Sequence, residues 1–450
     1  MTTKEKCFKM LRRFLPLLLA MGLQQLLALV VNLVDNFMLG AYTETAMSGA
    51  ALVNQIQFLL MQITLGVGMG AVVLGSQYWG KGKIEPIKKV ISSAFKIAIV
   101  IGLAFTIVTA VFPRQILGLL TSDSIIIEEG MQYLSVMCWT YIIFAASAVL
   151  MYSLQSVEIA YVGTIMSACT ICINIALNYT FIYGNFGAKE YGIKGAAFAT
   201  VCSRIVELVI VLIFIFAVDK RLKMKIKDLF DFKTGYFKDY IMVALPMIIS
   251  GALWGFSQAV QTAILGHMSS EAIGANSIAV AIFQIFAVWG FAGANACSVI
   301  IGRTVGEGDI KMVKPYSKTL QIFFLLLGVV LAILLFAFKG LIIGFYNITP
   351  ETYELTNTFL IVLCVTIIGT CYEYPVMAGI IAGGGDTKYE AIVDNLFMWC
   401  FVIPMSALSA FVFAWPPIVT FIFLKSDQIL KCIPNAIYCN SYKFIKDRTR

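Results

Sequence analysis

The chain has 450 residues, 60% hydrophobic and 13% charged, with a formal net charge of +8 at pH 7. A soluble domain carries about 25% charged residues, so this composition excludes an ordinary soluble protein and specifies an all-α polytopic membrane chain. One His leaves little room for His-based metal sites or acid–base pairs. The eleven Cys lie mostly in apolar runs and read as small hydrophobes rather than a disulfide framework.

Met1 to Arg13 is basic and leads into a full-length apolar run, so no cleavable signal peptide is expected. A span needs roughly 20 apolar residues. Twelve segments qualify, at about 14–39, 48–78, 90–112, 129–154, 160–183, 195–218, 241–265, 273–301, 316–345, 355–381, 388–410 and 411–430. Asp394 and the pair Pro416-Pro417 interrupt the last two. Lys and Arg crowd into the N-terminus, loops 80–89, 219–240 and 302–318, Lys388 and the tail from Lys425. The opposite loops hold Arg114, Lys189, Lys194 and Lys339. This asymmetry predicts cytoplasmic termini, and the compact loops suggest a bacterial inner membrane. The basic loop 219–240 reads as a topology signal against anionic lipid, not as a nucleic-acid site.

The chain repeats internally. Leu39-Gly40, Ala46, Ile56 and Gly80-Lys81-Gly82 recur at an offset of 226 as Leu265-Gly266, Ala272, Ile282 and Gly306-Glu307-Gly308. A Leu-Pro pair opens each half, at Leu15-Pro16 and Leu245-Pro246. The expected organisation is a first lobe over 1–218, a basic linker over 219–240, a second lobe over 241–430 and a basic tail over 431–450. Six spans per half make a parallel repeat, a design that places substrate and ion sites near the midplane.

Charges inside the spans are the functional candidates. Asp35 lies deep in LLALVVNLVDNFMLG, where a carboxylate costs several kcal/mol unless protonated, paired or solvated. Gln24, eleven residues earlier, shares its helical face, and Asn32 lies one turn away. Asn174 and Asn178 are an i,i+4 pair in the fifth span. Thr200 adds a hydroxyl from the sixth. Together these are oxygen ligands for a proton or Na⁺, and the amides are equally suited to joining helices. Arg204 and Glu207, three residues apart, are expected to pair. Glu373, beside Pro375, and Asp394 are second-half candidates for coupling or for a cationic substrate. Lys96 is expected to snorkel. Gln55, Trp254 and Gln258 are candidates to line a cavity, since aromatic groups suit organic cations. Cys169 and Cys172 form a CxxC without the second pair or His that a metal site needs.

The pattern resembles the multidrug and toxic compound extrusion (MATE) family over nearly the whole chain. Its carriers are LP…VDNFMLG, the GKG loop, NIALNYTFIYG, GIKGAAFAT, ILG…AIGANSIA, GRTVGEGD, GGGDTKYEAIVDNLFMWCFVIP and LKSDQILK. The resemblance implies twelve helices in two six-helix lobes forming a V around a central cavity. It implies export of organic cations in exchange for H⁺ or Na⁺, with no organic cofactor and a monomeric protein among lipids. It maps the family's first-span acid onto Asp35 and its fifth-span Asn onto Asn174. The family's Asp four residues later is Asn178 here, and the span 7 stretch SGALWGFSQAV has no acid. Both departures point toward proton coupling.

A lipid-linked glycan flippase is the nearest alternative, but it favours a cationic cavity for pyrophosphate, whereas acids prevail within these spans. An intramembrane enzyme needs a nucleophile–base pair or metal ligands, and neither HExxH nor Gly-x-Ser-x-Gly occurs. A channel is compatible with composition but not favoured by the repeat.

Overall fold

The computed structural model describes residues 2–231, 234–344, 346 and 348–449. Residues 232 and 233 of the expected linker and 450 of the expected tail lie outside these. Among the described residues the regular structure is entirely helical, as lipid requires of backbone groups that must find partners within their own segment.

The first half runs α1 (Thr3–Tyr42), α2 (Glu44–Gly80), α3 (Ile84–Val111), α4 (Pro113–Gly118), α5 (Ser124–Met137), α6 (Thr140–Ser156), α7 (Tyr161–Tyr183) and α8 (Ile193–Ile213), with a π-helical extension over Phe214–Val218. Asp123 caps α5 by accepting from the Ile125 and Ile126 amides. Gly184, at φ +69°, closes α7 in the left-handed region. The short α9 (Ile226–Leu229) precedes the second half: α10 (Thr234–Gly266), α11 (Ser270–Gly306), α12 (Ile310–Ile343) and α13 (Pro350–Tyr374). Then come α14 (Thr387–Phe397), α15 (Ile403–Ala407), α16 (Pro417–Lys425), α17 (Asp427–Leu430) and α18 (Cys432–Ser441). Ser269 and Thr349 cap α11 and α13. Pro375 withdraws one backbone donor, and α13 continues there as a π-helical stretch over Pro375–Ile381.

Element boundaries carry the repeat. Helices α2 and α11 are both 37 residues long. The starts of α3 and α12, and of α7 and α14, fall at the same offset of 226 read from the sequence. The turns after α2 and α11 both place glycine in the left-handed region, Gly82 at φ +67° and Gly308 at φ +76°.

Among the described residues, ten helices are long and apolar enough to cross a membrane, or eleven if the bent pair α5–α6 is one span. The chain is a multi-pass membrane protein. Two expected spans differ in form. The segment 129–154 is broken by 55° between α5 and α6. The Cys138 carbonyl at this break accepts from the Thr106 hydroxyl at 2.9 Å, a side chain entering the backbone ladder where a kink needs it. The segment 411–430 is not one helix. Ala414 takes a positive φ of 48°, Pro416-Pro417 follows, and the helical run extends from Pro417 to Ser441 in three pieces.

By packing, the chain forms two compact units: residues 23–75 with 83–248, and residues 1–22 with 76–82 and 249–450. The first has a core of Leu39, Val53, Leu60, Tyr141 and Ala197. The linker docks within it: Ser92 donates to the Leu229 carbonyl at 2.9 Å, and Lys89 pairs with Asp231. Lys96 donates to the Asp231 carbonyl. The second unit centres on Ile282, Leu363, Phe359 and Phe421, the last two rings stacked at 3.9 Å.

Candidate functional site

Within the unit of 23–75 and 83–248, α1, α7 and α8 carry the first-half candidates. Asn178 Nδ2 donates to Asp35 Oδ1 and, at 3.0 Å, to Asn174 Oδ1. The four-residue spacing on α7 makes this possible, because i and i+4 side chains stack on one face. Asn174 and Asn178 are almost wholly buried. Two of their polar atoms, Asn174 Nδ2 and Asn178 Oδ1, have no hydrogen-bond partner, an arrangement costing about 1–3 kcal/mol per atom unless relieved.

Thr200, Arg204 and Glu207 lie on one face of α8. Arg204 holds Glu207 through both carboxylate oxygens, at 2.9 and 2.7 Å, and lies 5.0 Å over the Phe144 ring. Its charge also reaches Asp35. The Thr200 hydroxyl donates to the Ala196 carbonyl at 3.0 Å, and near it lies the Tyr133 phenol, a buried group on α5 within electrostatic reach of Asp35 and Arg204. Tyr133 was not legible as a site residue, being one aromatic within an apolar run. Gln24 accepts from Gln155 at 3.3 Å, and the pair fits only because Gly163 has no side chain: a Cβ there would lie 2.1 Å from Gln24 Oε1. Asn32 is exposed.

The second-half acids belong to the other unit and have a cation of their own. Lys431 Nζ lies 2.8 Å from Asp394, 2.8 Å from Asp427 and 3.9 Å from Glu373. Its residue is 2% exposed. Glu390 adds a fourth buried carboxylate, in electrostatic reach of Asp394, Lys431 and Glu373. In the sequence alone Lys431 reads as one more cation of the basic tail. The signal that finds it is spacing: Asp427, Lys431 and Asn435 recur every fourth residue, as Glu390 and Asp394 do.

The remaining candidates are dispersed. Gln55 is exposed. Trp254 packs against the second unit's core, and Gln258, one turn on, is half-buried. Cys169 and Cys172 are exposed free thiols.

Three comparisons bear on this arrangement. A family model described as MatE matches residues 20–180 and 246–408. A probable multidrug resistance protein NorM from Thermotoga maritima is 25% identical over 432 residues, 95% of this chain and 91% of the relative. Among solved structures, a mutant of the Vibrio cholerae MATE transporter VcmN has a TM-score of 0.87 at 17% identity, covering 97% of both chains. A MOP superfamily transporter from Pyrococcus furiosus also reaches 0.87, at 15% identity over 95% of both chains.

Proposed function

The chain belongs to the MatE family, and on that premise we propose that it is a multidrug efflux transporter exchanging small organic cations for H⁺ at Asp35. Its setting is the plasma membrane, a bacterial inner membrane, with both termini on the cytoplasmic side. The observation that carries the coupling site is the Asp35–Asn178–Asn174 network with its two unused polar atoms.

The chemistry follows from donor and acceptor inventories. Ionised Asp35 is an acceptor only and takes the Asn178 N–H. Once protonated it becomes a donor, and the buried Asn178 Oδ1 is an acceptor without one. Each protonation state therefore has its own pairing within the same two side chains, reached by reorienting one amide. One carboxylate with two amides suits a proton better than Na⁺, which favours more anionic oxygen. Because Arg204 is held by Glu207, it leaves Asp35 as the acid of this face. A proton and a cationic substrate must weaken each other's binding by the same factor. A one-for-one exchange of H⁺ with a monovalent cation moves no net charge, so the pH gradient alone drives it.

The test is efflux of a fluorescent organic cation from proteoliposomes under imposed pH or Na⁺ gradients, native chain beside Asp35→Asn. Transport driven by the pH gradient and abolished in the variant supports the reading. Transport that survives the substitution removes Asp35 from coupling, and transport driven only by Na⁺ replaces the ion. Movement of no cation at all turns the reading toward a lipid-linked substrate.

A further inference from the structure

We propose that the buried carboxylates around Lys431 form a second proton-holding site, centred on Glu373 and Glu390, that loads and releases protons independently of Asp35. The inference deepens the antiport reading above, and its test reads protons rather than transport, so the two can fail separately.

The argument begins with a charge count. Four carboxylates gather here: Glu373 on α13, Glu390 and Asp394 on α14, and Asp427 on α17. Their exposures run from 4 to 8%. Facing them are Lys431 and, through its field on Asp427, Lys425. The Cys432 thiol is the neighbouring neutral group. Full ionisation leaves two negative charges without counter-charge in a buried place, each costing several kcal/mol.

The hydrogen bonds show which carboxylates carry the excess. Lys431 approaches Asp394 and Asp427 at 2.8 Å each but Glu373 only at 3.9 Å. Glu373 Oε2 and Glu390 Oε2 have no partner. A bare carboxylate oxygen here is costly, and a protonated one gains a donor. Acceptors without donors lie in the same helical run: Asn435 Oδ1, fully buried four residues past Lys431, and Gln428 Oε1. A proton taken from bulk water turns a bare carboxylate oxygen of Glu373 or Glu390 into a hydrogen-bond donor. A multivalent metal is the less suitable ligand, since no described group of three or more His, Cys, Asp or Glu side chains is placed to hold one. Lys431 is the counter-charge already engaged at 2.8 Å by Asp394 and Asp427, so the protons fall to the two glutamates it does not hold.

The experiment is an infrared pH titration of the purified full-length chain carrying Asp35→Asn, following the C=O stretch of protonated carboxyls and its shift in D₂O. A buried carboxyl band that persists without Asp35 and is lost when Glu373→Gln and Glu390→Gln are added is the expected result. Lys431→Gln should move the midpoint of that band up by at least about one pH unit, a tenfold change in proton affinity, while Lys431→Arg leaves it in place. If the glutamate variants do not fold, the Lys431 pair decides alone. A band unchanged by the glutamate substitutions, or a midpoint indifferent to the charge at 431, overturns the proposal.

Discussion

Asn178 gives its Nδ2 hydrogen to Asp35 Oδ1 while its own Oδ1, fully buried, accepts from nothing. One amide thus holds the acid by its donor end and keeps its acceptor end in reserve. Replacing that amide with a second carboxylate removes both features, because two adjacent carboxylates cannot both ionise without a cation between them. Asn178→Asp is therefore expected to make transport respond to Na⁺, measured as efflux from proteoliposomes over a Na⁺ titration at fixed pH. Continued indifference to Na⁺ would show that a second carboxylate is not what the ion lacks.

Removing Lys431 should be severe. Lys431→Met strands the carboxylates of Asp394 and Asp427, each 2.8 Å from the ammonium, and breaking a buried pair from one side costs about 3–5 kcal/mol. Adding Asp394→Asn and Asp427→Asn to the same chain removes the stranded charges and should recover most of that loss. Thermal unfolding in detergent, followed by tryptophan fluorescence, compares the three chains. Equal unfolding temperatures for native and Lys431→Met would contradict the buried-pair account.

The C-terminal segment is a strap rather than a loose tail. The Lys446 amide donates to the Gly384 carbonyl at 2.8 Å, the Arg448 amide to Gln77 Oε1 at 2.9 Å, and Arg448 Nε to the Gly385 carbonyl at 2.8 Å. Phe444 is fully buried against Gly384, where a Cβ would come within 2.3 Å of the ring. Phe444→Ala should cost about 3–5 kcal/mol and open the loop Gly383–Asp386 to protease. Cleavage at that loop no faster than in the native chain would argue that the strap is not holding it.

The strap has its own pH signature. Burial works to raise the Asp447 carboxyl, but the Lys81 ammonium 2.8 Å away and the Thr449 hydrogen bonds outweigh it and hold the group below its usual value of 3.8. A depressed folded value means the contribution is complete above the unfolded value and lost as pH falls through the folded one. Protease protection of the loop is thus expected to be constant near neutrality and to fall only below about pH 4. In Asp447→Asn the acid-dependent part should be missing. As Asp447 is nearly half exposed, the effect should be small and weakened by salt.

Gly163 is a position where one methyl group matters. Its Cβ would lie 2.1 Å from Gln24 Oε1 and 2.8 Å from Met151 Cε. Gly163→Ala should destabilise by about 1–3 kcal/mol by displacing the Gln24–Gln155 hydrogen bond. Gln24→Ala in the same chain makes room and should return part of the loss. Additive effects of the two substitutions would show that the methyl group and the glutamine do not meet.

Much was legible in the sequence because it is written locally. Apolar runs bounded by Gly, Pro, Asp and Ser located nearly every long helix, since each span satisfies its own backbone and needs only its own residues to be apolar. The offset of 226 reappears in the boundaries of α2 and α11 for the same reason. Asp35 stood out because the cost of a carboxylate in hydrocarbon depends on its immediate neighbours. The pair Asn174 and Asn178 was visible through helical periodicity alone.

What the tertiary structure decided is every pairing across sequence distance. Lys431 lies 58 residues beyond Glu373, and no local pattern distinguishes a lysine that serves topology from one that neutralises buried acids. The bend at Cys138 depends on Thr106 from another helix, and the burial of Phe444 on Gly384 from sixty residues earlier. Hydrophobicity is a sum over neighbours in the chain, whereas the partner of a charge or a backbone carbonyl is set by which helix faces come together. The sequence by itself therefore determined a helical membrane chain with an internal repeat and named Asp35. Only packing gave Asp35 the two asparagines of α7, and gave the second-half acids a lysine of their own.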